Sequence, residues 1–254
     1  MLNYISYGGG VQSTAMVLMA IDGVIERPDL VVFADTGSEM PETYSTVSSI
    51  QKICEQNNLP FYTVKAMTKS IDGQALHSWY MEKNAIPMIG IRWCTGKWKV
   101  DPVRQFVKIK ALESGLTKKP LQNAWLGITS DEKSRATGYS DVKYQIVTYP
   151  LLHKSRRELI SWIDKNYPEL SVSKSGCFCC PYANSDHWIN LRKKHASLFE
   201  TALEMEQIAK RRGIKRGLYR TKSIDVFNYS HQLTDFGFDI EESDSGCDSW
   251  SCFT

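Results

Sequence analysis

The chain has 254 residues, enough for one generous α/β domain or for a domain with a helical appendage. Hydrophobic residues make up 42% and charged ones 23%, which excludes a wholly disordered chain. The 31 Lys and Arg against 28 Asp and Glu leave a net charge of +3, which suits a small anionic substrate but does not by itself argue for nucleic acid. The N-terminus, MLNYISYGGGVQS, reaches glycines before a signal-peptide pattern develops, and no apolar stretch approaches a membrane span. The expectation is a soluble, cytoplasmic protein that uses no membrane.

In chain order, residues 2–7 form a short apolar run that ends in three glycines, and residues 11–21 read as a helix rich in Ala, Met and Leu. Residues 30–34 are a β-branched strand that stops at Asp35-Thr36-Gly37. Pro41 opens a helix to about Asn57, at a first-turn position where its missing N–H costs nothing. Residues 59–65 supply a third strand. Strand, helix, strand, helix, strand at this spacing predicts a doubly wound, parallel α/β sheet with right-handed crossovers.

Residues 66–96 read as less regular, 98–114 as a helix, 124–128 as a buried strand and 144–147 as a weaker one. A helix over 155–166 is capped by Ser155. Residues 167–183 read as a loop, and 184–213 as one long helix whose basic end suits the helix dipole. The predicted division is a nucleotide-binding domain over 1–183, then a C-terminal helical segment and cysteine-bearing tail over 184–254.

Gly8, Gly9 and Gly10, followed by Gln12, Ser13 and Thr14, stand between the first strand and its helix. Glycines there let backbone N–H groups approach an anion, and the helix N-terminus adds a favourable dipole. Ser13 and Thr14 can donate hydroxyl hydrogen bonds to the same oxygens. A glycine triplet also makes a plain tight turn, but its place at the C-terminal end of the first strand favours a phosphate or sulfate cradle. Asp35 ends the second strand in the same crevice, where a carboxylate suits a ribose or adenine donor.

These residues make the chain resemble the phosphoadenosine-phosphosulfate reductase family, within the PP-loop adenine nucleotide α-hydrolases. The likeness continues through Pro41-Glu42-Thr43-Tyr44, Lys97-x-Lys99-Val100-Asp101-Pro102, Trp125-Leu126-Gly127 with Ser134-Arg135, and Tyr149-Pro150-Leu151-Leu152. It implies that the loop 8–14 holds the sulfate or phosphate end of an adenine nucleotide (adenylyl sulfate, its 3′-phosphorylated form or ATP). Backbone at Ala34, Asp35, Thr36 and Gly37 would meet adenine and ribose. Arg135 and Lys99 would neutralise phosphate or sulfate oxygens. Gln12 stands where ATP-cleaving members usually carry Asp, which favours a sulfonucleotide.

The seven cysteines are Cys54, Cys94, Cys177, Cys179, Cys180, Cys247 and Cys252, an odd count that argues for metal or thiol chemistry over a disulfide framework. Cys54 stands in a helical pattern and reads as a small core residue. Cys177 and Cys180 form a C-x-x-C pair with Cys179 between them, and Cys94 is the evident third thiol. The iron–sulfur branch of the family has a similar pair about eighty residues after a tandem Cys-Cys, of which only Cys94 survives here, because Thr95 takes the second place. The resemblance therefore implies a [4Fe–4S] cluster on Cys94, Cys177 and Cys180, with Cys179, a tail cysteine or nothing at the fourth position, where an open iron would suit sulfur binding. Zinc on the same thiols, or no metal, is the alternative.

Family reductases carry a nucleophilic cysteine in a C-terminal tail, so Cys247 and Cys252 are candidate catalytic thiols beside Arg135 and Lys99. The bland alternative is an inert tail. The five histidines read as packing or surface residues, and the basic runs 154–157 and 210–216 as solvated faces that can guide an anionic substrate inward.

Three functions follow. The first is a sulfonucleotide reductase served by a thioredoxin-like reductant. The second is an ATP-using iron–sulfur sulfurtransferase acting on a nucleic acid or a small carrier. The third is a non-catalytic nucleotide-binding protein. A homo-oligomer is compatible with each.

Overall fold

The computed structural model describes residues 1–138 and 140–229. Its centre is a five-stranded, wholly parallel sheet in the order β3-β2-β1-β4-β5, formed by β1 (Leu2–Tyr7), β2 (Leu30–Ala34), β3 (Phe61–Val64), β4 (Gln122–Trp125) and β5 (Gln145–Thr148). Helix α1 (Val11–Ile21) and α2 (Pro41–Gln56) connect the first three strands. A short α3 (Leu76–Glu82) comes next, then α4 (Asp101–Glu113), α5 (Arg156–Asn166), α6 (Ser185–Lys194) and α7 (Ala196–Arg211). The order reverses between β1 and β4, and the C-terminal edge at such a switch point is where open sheets bind ligands. The doubly wound α/β class read from the sequence is the class observed.

Both faces of the sheet are covered. One carries a core of Ile5, Val31, Phe33, Met16 and Leu18 with Ile50, Leu159 and Ile163. The other packs Tyr4, Val32, Ala124 and Leu126 on Val103 and Val107 of α4. A third core lies beyond the sheet and joins Trp98, Phe178, Trp188, Phe199 and Phe227, so it spans the expected division at residue 183.

Three differences from the sequence reading have physical causes. Strand β4 begins two residues earlier than expected, at Gln122, because its opening residues are polar yet buried and paired across the sheet. Gln122 Nε2 donates to Gln145 Oε1 at 2.8 Å, and Asn123 Nδ2 to Asn3 Oδ1 at 3.1 Å. The long helix expected over 184–213 is two helices that break at His195 (φ −136°, ψ 57°), without a Gly or Pro to announce it. Its imidazole Nε2 lies 2.7 Å from Glu42 Oε1 on α2, a tertiary contact that local propensity cannot foresee. Helix α3 lies inside the stretch read as irregular, since seven residues are too few to establish a period.

Candidate functional site

The glycine loop leaves β1 at the sheet's C-terminal edge and enters α1. Gly9 has φ +75°, and a Cβ there would stand 2.8 Å from Thr43 Cγ2 of α2, so both conformation and space demand glycine. A Cβ on Gly10 would lie 2.8 Å from Ser175 Oγ. Gly127, just past β4, would bring a Cβ 3.0 Å from the Ser13 nitrogen. The loop is thus held between the second helix, the β4 exit and the cysteine segment. The first-turn N–H groups of α1 have no intrahelical partner, as at any helix start, and they remain the natural anion donors.

The hydroxyls of this loop serve the fold instead of standing ready for a ligand as expected. Ser13 Oγ accepts from the Gly8 N–H and donates to the Gly10 carbonyl, each at 3.2 Å. Thr14 Oγ1 pairs with the Tyr7 hydroxyl at 3.0 Å, and both side chains are buried. Asp35 is likewise engaged by its own loop. Its Oδ1 accepts from the Gly37 N–H at 2.8 Å and from the Tyr44 hydroxyl at 2.7 Å, and Lys65 lies 3.6 Å from Oδ2. Burial pushes the Tyr44 phenol well above its ordinary range, and the Asp35 carboxylate adds to that, so this donor stays protonated.

The loop after β2 meets the cysteine segment directly. Phe178 donates its N–H to the Ser38 carbonyl, Met40 to that of Gly176, each at 2.9 Å, and Glu39 bridges Cys177 in antiparallel fashion. Glu39 stands at the centre, its side chain 0% exposed. Its Oε1 takes Lys99 Nζ at 2.8 Å, the Thr36 hydroxyl at 2.9 Å and the Cys177 thiol at 3.4 Å, while its Oε2 has no partner among the described residues. Lys99 reaches this carboxylate from a π-helical turn (Thr95–Val100) that precedes α4. Such turns recur at functional sites. Arg135, in a 3₁₀ turn (Ser130–Arg135), forms an ion pair with Glu132. Both cations expected to meet substrate oxygens are therefore already matched to carboxylates, and an incoming anion shares or displaces those partners.

A family model described as the phosphoadenosine phosphosulfate reductase domain matches residues 3–171. The chain belongs to that family. Among curated relatives, the uncharacterized protein MJ0973 of Methanocaldococcus jannaschii is 26% identical over 235 residues, which is 86% of this chain and 51% of that protein. The uncharacterized protein MJ0066 of the same organism is 25% identical over 240 residues, 86% of this chain and 45% of that one. The chain thus spans about half the length of the curated relatives it matches.

The solved structures to which the chain is similar include two of low sequence identity. The phosphoadenylyl-sulfate reductase from Candida auris, a phosphate complex, is 15% identical with a TM-score of 0.45, covering 68% of this chain and 81% of that one. The U34-tRNA thiolase NcsA from Methanococcus maripaludis, with its [4Fe-4S] cluster, is 14% identical with a TM-score of 0.42, covering 89% of this chain and 79% of that one.

The four mid-chain thiols gather in one core. Cys179 is fully buried, and Cys94, Cys177 and Cys180 pack on the same apolar cluster. Burial drives the Cys179 thiol far above its ordinary range, with Cys94 as the next contributor. In donor chemistry this set fits a thiolate-held centre. Among the described residues, no three His, Cys, Asp or Glu side chains stand in metal-holding array. Cys54 is buried in the sheet core, as expected of a packing residue, whereas Cys247 and Cys252 lie outside the described residues. No helix among the described residues is long and apolar enough to cross a membrane.

Sequence reasoning missed Glu39, Ser175 and three histidines. His77 Nδ1 lies 2.8 Å from Ser38 Oγ, His187 Nε2 3.0 Å from the Phe178 carbonyl, and His195 reaches Glu42. Burial lowers the pKa of His77 and His187, which favours neutral rings that orient the two loops. Glu39, five residues beyond the strand end, had a detectable signal: a carboxylate in a loop of the switch region. The histidines had none, since their partners are distant in sequence.

Proposed function

We propose that the protein is a sulfonucleotide-reductase-like enzyme. It would bind an adenine nucleotide at the glycine loop and release the sulfur of that nucleotide beside the cysteine segment. The observation that carries this reading is the close approach of Gly10 to Ser175, two residues before Cys177, which leaves no room for a Cβ at that glycine and brings the glycine loop beside the thiol-bearing loop. Gln12 at the first turn of α1 adds no negative charge against a sulfate. Glycine-loop N–H groups would hold the phosphosulfate, and Lys99 and Arg135 would offset its charge while turning from Glu39 and Glu132, their present partners.

In the reaction, the Cys247 thiolate attacks the sulfate sulfur. An S–S bond forms, the S–O bond to the phosphate breaks, and the adenosine phosphate leaves with the electron pair. A dithiol reductant of the thioredoxin class then cleaves the enzyme thiosulfonate, yielding sulfite, the free cysteine and an oxidised disulfide. Cys252 is the second tail candidate. A [4Fe–4S] centre on Cys94, Cys177 and Cys180, with Cys179 buried beside them, would supply an iron with an open, sulfur-binding position near the cradle. Metal and sulfide analysis of anaerobically purified protein, in which Cys94→Ser loses the metal and Cys54→Ser keeps it, checks that assignment.

A second reading, an ATP-using sulfurtransferase, is favoured by a cleft of ≈ 320 Å³ with Cys177 and Cys180 on its wall and Lys174, Lys194 and His195 around it, room for an acceptor. One experiment separates the two. Incubation with labelled adenylyl sulfate or labelled ATP, plus a dithiol, should yield sulfite and an adenosine phosphate from the former, with turnover abolished when residues 245–254 are deleted. Turnover of ATP alone, unaffected by the deletion, would move the chemistry to the transferase.

A further inference from the structure

Residues 210–222 carry seven cations and no carboxylate, in a chain whose whole excess is only +3. Lys210, Arg211, Arg212, Lys215, Arg216, Arg220 and Lys222 are all exposed. They occupy the end of α7 and a tight hairpin, in which Gly217 bridges Thr221 and Tyr219 bridges Lys222. The hairpin is pinned from inside. Buried Glu206 accepts the Leu218 N–H at 2.6 Å and the Ile224 N–H at 3.1 Å, and it also binds the Ser223 hydroxyl. Arg220 and Thr221 are both held at positive φ, 45° and 76°, a conformation unfavourable for a β-branched residue that the surrounding bonds must enforce. A mere solvated face needs no such construction.

This basic surface runs into an aromatic one. Arg212 donates to the Lys83 carbonyl at 2.5 Å, at the end of α3, and Lys83 Nζ lies 5.9 Å from the Trp79 ring while pairing with Glu82. Trp79 and Trp93 have centroids 4.6 Å apart, and buried Trp98 backs both at 5.4 and 5.5 Å. Trp93 is 36% exposed and precedes Cys94 in sequence, and Ile91, two residues before it, is exposed as well. Arg92 sits over the Tyr182 ring at 5.9 Å. A cationic track that leads to a rigidly backed indole matches the two demands of unpaired nucleic acid: charge for the backbone and a π-face for a base.

We propose that this face binds a single-stranded segment of nucleic acid. Its phosphates would follow residues 210–222, and one unpaired base would stack on Trp93. Acidic proteins and anionic membranes would use the cations equally well, but neither needs the indole platform at the end of the track. The site is separate from the glycine loop, so its failure would leave the nucleotide reading standing.

The test uses the full chain and fluorescein-labelled unpaired 20-mers of RNA and of DNA, followed by anisotropy at two salt concentrations. Binding should weaken with salt by a log–log slope of about −0.7 for each phosphate contacted. Arg216→Gln with Arg220→Gln should reduce affinity at least tenfold and flatten the slope. Trp93→Ala should cost about tenfold, the magnitude of one lost stacked base, and Trp93→Phe should restore most of it. Adenine-nucleotide binding retained by the Arg variants would show that they are folded. Absence of oligonucleotide binding overturns the proposal. So does equal affinity for a polyglutamate peptide or for phosphatidylserine vesicles, or indifference to Trp93→Ala.

Discussion

The glycine-loop side and the cysteine side of the molecule touch at Gly10 and Ser175, yet they are built by different means. The glycine loop is written in the local backbone: strand, positive-φ glycine, helix start, each within a few residues of the next. The cysteine side is assembled from afar. Cys94 precedes a π-helical turn, Cys177 hydrogen-bonds a carboxylate 138 residues earlier, and the core they share includes α6, α7 and Phe227. A single substitution should therefore disable the first by local geometry, whereas the second should fail through charge and packing.

The largest effect is expected at Gly9. In Gly9→Val, a β-branched side chain must adopt φ +75° and enter the space of Thr43, so the cradle cannot close on a phosphate or sulfate. Calorimetry should show adenine-nucleotide binding weakened at least a hundredfold, while the circular dichroism of the sheet and helices persists. Retained affinity would detach the glycine loop from ligand binding and make it a turn alone.

The next effect probes the cysteine side. Lys99→Met removes the cation from a Glu39 carboxylate that is wholly buried, and an uncompensated buried charge costs about 3–5 kcal/mol. Denaturant unfolding should register that loss, and Lys99→Met combined with Glu39→Gln should recover most of it, because no ionised group is then stranded. If the double variant is as unstable as the single one, packing rather than charge holds the cysteine loop to the loop after β2.

How much of this was legible follows the same division. The boundaries of α1 and β2 agree with the sequence reading to the residue, because apolar period, glycine and proline signals act locally. Asp35 and Lys99 were marked as functional from their motifs, but their partners Tyr44 and Glu39 were not, since a motif names a residue and says nothing about which atom its side chain will face. The break at His195 was hidden for a related reason, since it goes with a contact to Glu42 far away in sequence, whereas the helix at Leu76–Glu82 was hidden because seven residues do not establish a period. Gln122 and Asn123 disguised a strand because their buried amides donate across the sheet, to Gln145 and Asn3, where hydrophobicity is expected.

The smallest effect is expected at Ser155, the cap residue on which sequence and structure agree. Ser155 caps α5 in a reciprocal box: its hydroxyl accepts the Glu158 N–H at 3.2 Å, and Glu158 Oε2 takes the Ser155 N–H at 2.6 Å. The backbone bond holds the Glu158 carboxyl below its ordinary range, although the group is solvent-facing. Ser155→Ala leaves one helix-end donor without its side-chain acceptor and should cost about 1 kcal/mol in thermal or urea unfolding. Helix α5 packs on α1, the helix that the glycine loop opens, through Leu159 and Ile163. Since that packing is independent of the cap, nucleotide affinity should stay within twofold of the parent. A cap loss that also weakened nucleotide binding would mean that the glycine loop depends on α5, and its geometry would then be less local than the strand–glycine–helix pattern implies.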